Sequence, residues 1–231
     1  MIGIIVPAHN EEAYIEACVQ SLQVAATHPD LKREAVEIFV ALDACDDRTG
    51  HLARSLGVKT LDVHAMNVGF ARQTASRMAL AAGARWLSYT DADSTVAPDW
   101  LAAQVALGSD AVCGTVAVAD WGRYGDRMRR HFEATYEDQD GHSHVHGANL
   151  GVSADAYVAA GGFETLATGE DHALVRALAN TGARIARSCR PRVSTSVRPD
   201  YRAPGGFGAI LEKIDRLGLW VSPQNGLSMT L

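Results

Sequence analysis

The chain opens with two different hydrophobic periods. Residues 2–6 form a continuous apolar run that ends at Pro7, which is typical of a strand buried on both faces. From Ile15 the apolar residues recur at intervals of three and four positions until His28 and Pro29 end the pattern. This second period predicts a helix.

The alternation continues to residue 90. The pattern predicts strands at 36–42, 58–63 and 86–90, with a short helix after Asp47 and a longer helix over about 70–82. Strands joined by helical crossovers are typical of a parallel sheet that is covered on both faces. The first half of the chain therefore predicts an α/β fold.

Beyond Pro98 the pattern is less regular. The predicted elements are a helix at 99–107, a strand at 111–119, an arginine-rich helix between 122 and 137, a strand at 148–152 and a helix that starts near Glu170. Residues 190–208 mix prolines, glycines and arginines, which predicts a long loop. An apolar helical pattern resumes at Ile210 and predicts a final helix.

Composition narrows the class of protein. The chain has 231 residues, of which 47% are hydrophobic and 21% charged, and a net charge of −6, so it is neither disordered nor basic enough overall to bind nucleic acid. Its four cysteines form no CxxC pair, which favours reduced thiols. With no apolar stretch of membrane-spanning length, we expect a cytoplasmic protein without an integral membrane segment.

Polar residues follow three of the predicted strands. The loops are Pro7-Ala8-His9-Asn10-Glu11, Asp43-Ala44-Cys45-Asp46-Asp47 and Asp91-Ala92-Asp93-Ser94. Because the carboxyl ends of parallel strands form the ligand crevice of an open sheet, we expect these loops to line one site.

Asp91 and Asp93 are candidates for a divalent cation site. Two carboxylates one residue apart can face the same side of a loop and hold Mg²⁺ or Mn²⁺, which in turn binds a diphosphate. The alternative is an ordinary strand-end turn in which an aspartate caps the following segment.

A series of short motifs runs in order along three quarters of the chain. They are IIVPAHNEE at 4–12, LDACDD at 42–47, NVGFAR at 67–72, DADS at 91–94, GANL at 147–150, GGF at 161–163 and GEDHAL at 169–174. Together they resemble the family 2 glycosyltransferases of GT-A fold, in the nucleotide-diphospho-sugar transferase superfamily. The resemblance implies a Rossmann-like parallel or mixed sheet with helices on both faces. It also implies a single domain of two lobes, with nucleotide-sugar binding at 1–110 and acceptor binding and catalysis at 111–231.

The resemblance also implies a donor site in the first lobe. The residues it assigns to the nucleotide are Pro7, Ala8, His9, Glu11, Asp43, Arg72, Asp91 and Asp93. His9 is expected against the base, and Asp43 is expected to accept from a ring N–H. Asp91 and Asp93 are expected at the ribose and at Mn²⁺ or Mg²⁺, and UDP is the most frequent nucleotide of such donors.

In the second lobe, Asp171 corresponds to the general base of the family. The residues expected near the acceptor or the transferred sugar are Gly147, Asn149, Glu170 and Trp121. The segment at about 190–208 resembles a loop that closes over the donor, with Arg198 and Arg202 reaching the diphosphate. Two simpler interpretations stay open, because Asp171 in a first helical turn also favours the helix dipole and the arginines also suit a basic surface loop.

The implied reaction is metal-dependent transfer of a sugar, with inversion, from a nucleotide-diphosphate donor to a hydroxyl of an unidentified acceptor. A non-catalytic protein that binds nucleotide-sugars or glycans is one alternative. A phosphatase with a DxDxT motif is another, and it is disfavoured because no lysine lies between Thr95 and Glu170.

His142, His144 and His146 alternate along the chain. On a strand they would share one face, where they could bind zinc or simply lie exposed at a polar edge. His146 and His172 are also candidates, beside water, for a third ligand of the metal at Asp91 and Asp93.

Overall fold

A computed structural model describes residues 1–198 and 206–220. The strands in this part are β1 Ile2–Ala8, β2 Val36–Asp43, β3 Lys59–Val63, β4 Trp86–Tyr89, β5 Thr95–Val96, β6 Ala111–Val118, β7 Leu150–Ser153 and β8 Ile185–Thr195. The helices are α1 Ile15–Ala26, α2 Thr49–Ser55, α3 Val68–Ala81, α4 Trp100–Ala106, α5 Gly125–Thr135, α6 Ala154–Ala159, α7 Glu170–Asn180 and α8 Phe207–Leu217. None of them is both long enough and apolar enough to cross a membrane.

The strands form one mixed sheet in the order β3-β2-β1-β4-β7-β6-β8-β5. The strands β1 to β4 pair in parallel, β7 is antiparallel to its neighbours β4 and β6, and β8 is parallel to β6 but antiparallel to β5. It follows that β1, β2, β3, β4, β6 and β8 all end at the same edge of the sheet. This edge is where the site is built.

Alternate residues of β1 explain why helices cover both faces. Ile4 and Val6 pack with Leu22 of α1 in one core, whereas Ile5 packs with Ala75 of α3 in a second core on the opposite face. A continuous apolar strand therefore marks a central position in the sheet, as predicted.

A third hydrophobic cluster begins at the end of β6 and, in the described part of the chain, contains four buried aromatic side chains. It combines Trp121, Phe132 and Tyr136 with Leu211 and Ile214 of α8. The helix α5 contributes its buried face here, while its arginines are exposed.

The predicted elements of the first half are confirmed to within a few residues, but the sheet does not follow the chain order. The strand β7, from the second half, lies between β4 and β6, so one sheet crosses the predicted lobe boundary at residue 110. The pattern also missed β5 and α6, which are short.

The expected loop at 190–208 is wrong for residues 190–195, which belong to β8. The pairing of β6 with β8 shifts between Gly114, opposite Ser188, and Thr115, opposite Arg192. Pro191 lies in this irregularity, where a strand tolerates a residue that lacks an N–H. The loop predicted from the prolines is wrong here because the shifted pairing lets β8 continue without a hydrogen bond from the nitrogen of residue 191.

Asn149 holds this irregularity together. Its side chain is fully buried, and its Nδ2 donates to the carbonyls of Thr115 at 2.7 Å and Pro191 at 2.9 Å. Its Oδ1 accepts from Trp100 Nε1 at 2.9 Å. The side chain of Asn149, a residue that the resemblance assigns to the acceptor or the sugar, thus bonds the backbones of β6 and β8 in this structure.

Candidate active site

Charged side chains from distant parts of the chain converge where the strands end. Glu11 follows β1, Asp43 ends β2, Asp91 and Asp93 follow β4, and Arg198 follows β8. The parallel course of these strands brings the loops together. The sequence prediction that the three polar loops share one edge is therefore confirmed.

The loop after β1 is held against the loop after β2. His9 Nδ1 is 2.6 Å from the carbonyl oxygen of Asp43, and Asn10 Nδ2 donates to Asp46 Oδ1 at 2.6 Å. The amide of Glu11 donates to Thr49 Oγ1 at 2.7 Å. Pro7 and Ala8 form the end of β1 immediately before this loop.

Asp43 organises the start of α3. Its buried carboxylate accepts from the amides of Ala65 and Met66, both at 2.8 Å, and of Asn67 at 2.7 Å. A carboxylate has about four acceptor positions, so one remains for a ligand. The residue expected to bind a base thus also anchors the helix that carries Arg72.

Arg72 is a buried cation between two carboxylates. It is 3% exposed, its Nη1 donates to Glu170 Oε1, and its Nη2 donates to Asp91 Oδ1 at 2.6 Å. Its guanidinium lies over the ring of Phe163, 5.6 Å from the ring centroid. Burial acts to lower the pKa of Arg72, but the carboxylates, led by Asp91 and Glu170, raise it overall.

Gly147 joins this arginine to the expected general base. A Cβ at Gly147 would overlap the guanidinium of Arg72, so only glycine lets the backbone approach so closely. The Gly147 amide donates to Asp171 Oδ2 at 2.9 Å, and the His172 amide donates to Asp171 Oδ1 at 2.7 Å. Asp171 is therefore oriented by two amides while its side chain stays partly accessible.

Asp93 and Arg198 form the other half of the network. Arg198 donates through both Nη atoms to the carboxylate of Glu11, and its Nε lies 3.5 Å from Asp93 Oδ2. Burial, followed by the charge of Asp91, raises the pKa of Asp93 to about 7, against the opposing effect of Arg198. The negative charge of Asp93 is therefore not fully balanced by neighbouring positive charge.

The carboxylates that converge at this edge are of the kind that hard divalent cations prefer as ligands. The carboxylates at this edge are Glu11, Asp91, Asp93, Glu170 and Asp171, and the arginines that neutralise them in the network are Arg72 and Arg198. A cation at Asp91 and Asp93 would offset the excess negative charge. Within residues 1–198 and 206–220, no group of three or more His, Cys, Asp or Glu is arranged to hold a metal ion. With only these two aspartates as protein ligands, the other coordination positions of the cation would be taken by water and by oxygens of the substrate, which is common for Mg²⁺.

The histidines do not lie on an exposed strand. Residues 142–146 are irregular, and the rings of His142, His144 and His146 stack at centroid distances of 5.4 and 5.6 Å. Tyr136 stacks on His144 at 4.1 Å, and its hydroxyl is 2.9 Å from His146 Nε2. The alternation correctly puts the rings on one side, but they are largely buried in an aromatic column.

Three further residues that the resemblance assigns to the site are Glu170, Trp121 and Arg202. Glu170 is buried against Arg72, and burial raises its pKa while Arg72 opposes the rise. Trp121 packs on Phe132, with ring centroids 5.3 Å apart. Arg202 lies outside the described residues.

Sequence reasoning missed the residues that position the network. Tyr136 looks like an ordinary core residue in the sequence, and Phe163 stands in the GGF motif without an assigned role. The bond from Glu11 to Arg198 joins positions 187 residues apart, and no local pattern contains such a pairing.

The family model described as "Glycosyl transferase family 2" matches residues 3–159. Comparison of the sequence with curated proteins found no match.

Several solved structures have a similar fold. S. aureus TarS 1-349 in complex with UDP-GlcNAc matches with a TM-score of 0.65 and 17% identity, over 89% of this chain and 61% of that one. The mannosyltransferase PcManGT from Pyrobaculum calidifontis, in complex with GDP-Man and Mn²⁺, matches with a TM-score of 0.62 and 21% identity, over 94% and 70%. Glucosyl-3-phosphoglycerate synthase from Mycobacterium tuberculosis, in complex with Mn²⁺, UDP-Glc and phosphoglyceric acid, matches with a TM-score of 0.58 and 20% identity, over 86% and 72%. The chain thus spans about three fifths of the TarS chain, and these likenesses confirm the GT-A fold.

Proposed function

The chain belongs to glycosyl transferase family 2, and from that premise we propose that it transfers a sugar from a nucleotide-diphosphate donor to an acceptor hydroxyl, with inversion and with a divalent cation. The observation that carries the proposal is the convergence of Asp91, Asp93, Arg72 and Asp171 at one edge of the sheet. These residues combine a cation site, a phosphate-binding arginine and a proton acceptor.

In the proposed reaction, Asp171 takes the proton of the acceptor hydroxyl. The hydroxyl oxygen forms a bond to the anomeric carbon from the face opposite the diphosphate, and the bond from that carbon to the diphosphate oxygen breaks with both electrons leaving on the nucleotide. The amides of Gly147 and His172 orient the Asp171 carboxylate for this role.

The negative charge of the leaving nucleotide requires nearby cations. Mn²⁺ or Mg²⁺ held by Asp91 and Asp93 would supply Lewis-acid stabilisation of the diphosphate. Guanidinium groups donate to carboxylate and phosphate oxygens in the same way, so we propose that Arg72 and Arg198 each exchange a carboxylate partner for the diphosphate.

We propose UDP as the nucleotide, with GDP as the competing choice. TarS and the glucosyl-3-phosphoglycerate synthase are both described with UDP-sugars, whereas the mannosyltransferase is described with GDP-Man. One acceptor position of Asp43 is left for a ring N–H, which both uracil and guanine can provide.

The test starts with the nucleotide. UDP, GDP and dTDP are screened by thermal shift with and without Mn²⁺, because a ligand at 100 times its dissociation constant adds about 2.7 kcal/mol of stability. The matching sugar nucleotides are then assayed for release of the nucleoside diphosphate, and the anomeric configuration of the product is read by NMR. Retention at the anomeric carbon would contradict inversion, and binding without any release would favour a non-catalytic protein.

A further inference from the structure

An irregular segment, residues 163–169, lies between α6 and α7 and leads to Glu170 and Asp171 at the start of α7. It is bonded to α3, the helix that carries Arg72. We propose that this contact makes Glu170 a positioning residue, which holds the carboxylate of Asp171 at a fixed place relative to the donor. The proposal rests on the proposed function, because it concerns the proton acceptor of that reaction.

Two side-chain amides bind the backbone of this segment. Gln73 Nε2 donates to the carbonyl of Phe163 at 2.9 Å, and Asn67 Nδ2 donates to the carbonyl of Leu166 at 2.9 Å. Asn67 also caps α3, since its Oδ1 accepts from the Phe70 amide at 2.9 Å. One asparagine thus joins the start of the helix to the segment.

Gly69, in the first turn of α3, shows how closely the two backbones approach each other. A Cβ at this position would overlap the carbonyl oxygen of Glu164 and would lie 3.2 Å from the Cβ of Glu170. Only glycine leaves room for this contact. The segment therefore has no space to move toward α3, and its hydrogen bonds oppose a movement away from it.

The carboxylate of Glu170 is occupied inside the protein. Glu170 is 6% exposed, and its Oε1 accepts from Arg72 Nη1. Removing one partner of such a pair leaves a buried charge without compensation, so the pair fixes the first turn of α7 on α3. The resemblance assigns Glu170 to the acceptor or the sugar, whereas this burial favours a role that acts through the next residue.

The position of Asp171 follows from that of Glu170, because the two residues are consecutive in the first turn of α7. The Asp171 carboxylate accepts from the amides of Gly147 at 2.9 Å and His172 at 2.7 Å, and a displacement of this turn would change both bonds. Misplacing a catalytic group by about 1 Å can lower a rate by about 10²-fold. Glu170 can thus control turnover without touching a substrate.

The other end of the connection is the donor site. Asp43, which is expected at the nucleotide base, accepts from the amides of residues 65–67 and so fixes the start of α3. Arg72 binds Glu170 and Asp91 through different nitrogens of its guanidinium. It can therefore keep Glu170 when a cation and the diphosphate take the place of its bond to Asp91. Helix α3 links the residues expected to bind the donor with the residue expected to take the proton.

Hydrogen exchange of single amides, measured by NMR without ligands, tests the proposal without turnover. The amides of Gly147 and His172 report the place of the Asp171 carboxylate that they bind. The amides bound to Asp43 are the internal control, because they report a general loosening of the fold. A merely structural role of Glu170 would change both sets alike.

Three variants are compared with the wild type. Gln73→Met removes a bond from α3 to the segment without changing a charge, and Glu170→Gln removes the charge that pairs with Arg72. Glu34→Gln is the matched control, because it removes a carboxylate that binds Arg85 at 2.7 Å near the opposite edge of the sheet. Affinity for UDP, or for GDP if the wild type prefers it, is measured with Mn²⁺, and turnover is measured as release of the nucleoside diphosphate.

We expect exchange at Gly147 and His172 to be at least about threefold faster in Gln73→Met and Glu170→Gln, while exchange at the amides bound to Asp43 changes less than about twofold. Turnover of Glu170→Gln should fall by at least about tenfold, with nucleotide affinity retained. Glu34→Gln should match the wild type in every measurement.

Equal acceleration at both sets of amides, or unchanged exchange at Gly147 and His172, would overturn the proposal. Loss of nucleotide affinity in Glu170→Gln, or normal turnover of that variant beside an active wild type, would overturn it as well. If the wild type itself releases no nucleoside diphosphate, the proposed function is contradicted, and the exchange rates still decide whether Glu170 places Asp171.

Discussion

The two neighbouring regions at the sheet edge are built from opposite chemistry. At the ends of β1, β4 and β8, carboxylates face two buried arginines, with Arg72 bonded to Asp91 and Arg198 bonded to Glu11. At the end of β6, rings stack on rings, with Phe132 on Tyr136 at 4.4 Å. The ionic region brings together side chains of both charges, whereas the aromatic region is held by contacts between rings.

The two regions are stabilised in different ways. A buried ion pair loses its hydration, and breaking it leaves an uncompensated charge, so the ionic region is sensitive to the loss of any one member. The aromatic region gains from burial and contact, which respond to shape more than to charge. Substitutions at the ionic region should therefore change donor binding and chemistry, and those at the aromatic region should mainly change stability and the position of Asp171.

The largest effect is expected at Asp171, where the two regions meet. Asp171→Asn keeps an oxygen that can accept from Gly147 or His172, but it cannot take a proton at neutral pH. Turnover should fall by roughly 10²–10⁴-fold, the range of general-base catalysis, while donor affinity is unchanged. Steady-state kinetics and nucleotide binding are measured on the same preparation.

The control for this variant is Asp155→Asn, which changes an exposed aspartate in the first turn of α6. It should leave turnover unchanged. Near-normal turnover in Asp171→Asn would mean that Asp171 only orders its helix and the neighbouring amides.

The second effect concerns the cation. Asp93→Asn should reduce the Mn²⁺-dependent affinity for the nucleotide by at least about tenfold, since it removes the carboxylate that is short of positive charge. The same change should not lower the melting temperature of the protein without ligand, because the carboxylate of Asp93 is disfavoured by burial and by Asp91. Undiminished stabilisation by nucleotide and Mn²⁺ in this variant would contradict the cation site.

The ionic region could largely be predicted from the sequence. Its carboxylates follow strands in short motifs, and parallel strands bring such loops together whatever the rest of the fold does. The roles of the individual residues within this region could not be predicted. That Asp43 anchors residues 65–67, or that Arg198 returns to Glu11, depends on loop geometry and on contacts between distant positions.

The aromatic region could hardly be predicted. Its residues come from α5, from the irregular segment 142–146 and from β6, and none of these has a motif. The histidine alternation indicated a shared side but not burial, because burial comes from Tyr136 stacking on His144. In β8, local propensity argued against a strand at Pro191, and the shifted pairing with β6 overrode it.

A third prediction separates the two regions directly. Tyr136→Phe removes the hydroxyl that accepts from the Val116 amide at 2.8 Å and contacts His146. The free energy of unfolding should fall by about 1–3 kcal/mol, because a buried amide loses its partner. Turnover should fall several-fold, because the hydroxyl contacts His146, which precedes Gly147, whose amide orients Asp171, whereas donor affinity stays the same.

Tyr157→Phe is the matched control for Tyr136→Phe. Its hydroxyl accepts from the Phe163 amide at 3.2 Å, and its ring belongs to the second core and not to the cluster around Tyr136. Both variants should lose stability, and only Tyr136→Phe should lower turnover. An equal fall in both would mean that turnover follows stability alone.

The smallest effect is a pH dependence of stability that arises in the aromatic column. Burial, followed by the charge of His144, lowers the pKa of His146 to about 3, with Asp171 acting in the opposite direction and His142 and His172 in the same one. An unfolded histidine has a pKa of about 6.5, so at pH 5 the unfolded chain binds a proton at this position that the folded chain does not. Stability should therefore decrease as the pH falls below 6.5, by up to about 1.4 kcal/mol per pH unit from this residue. Denaturant unfolding of the wild type and of His146→Gln at pH 7 and pH 5 measures this contribution, because glutamine can still bond Tyr136 but does not titrate. An equal loss of stability in both proteins would mean that His146 is charged in the folded state or that other groups cause the loss.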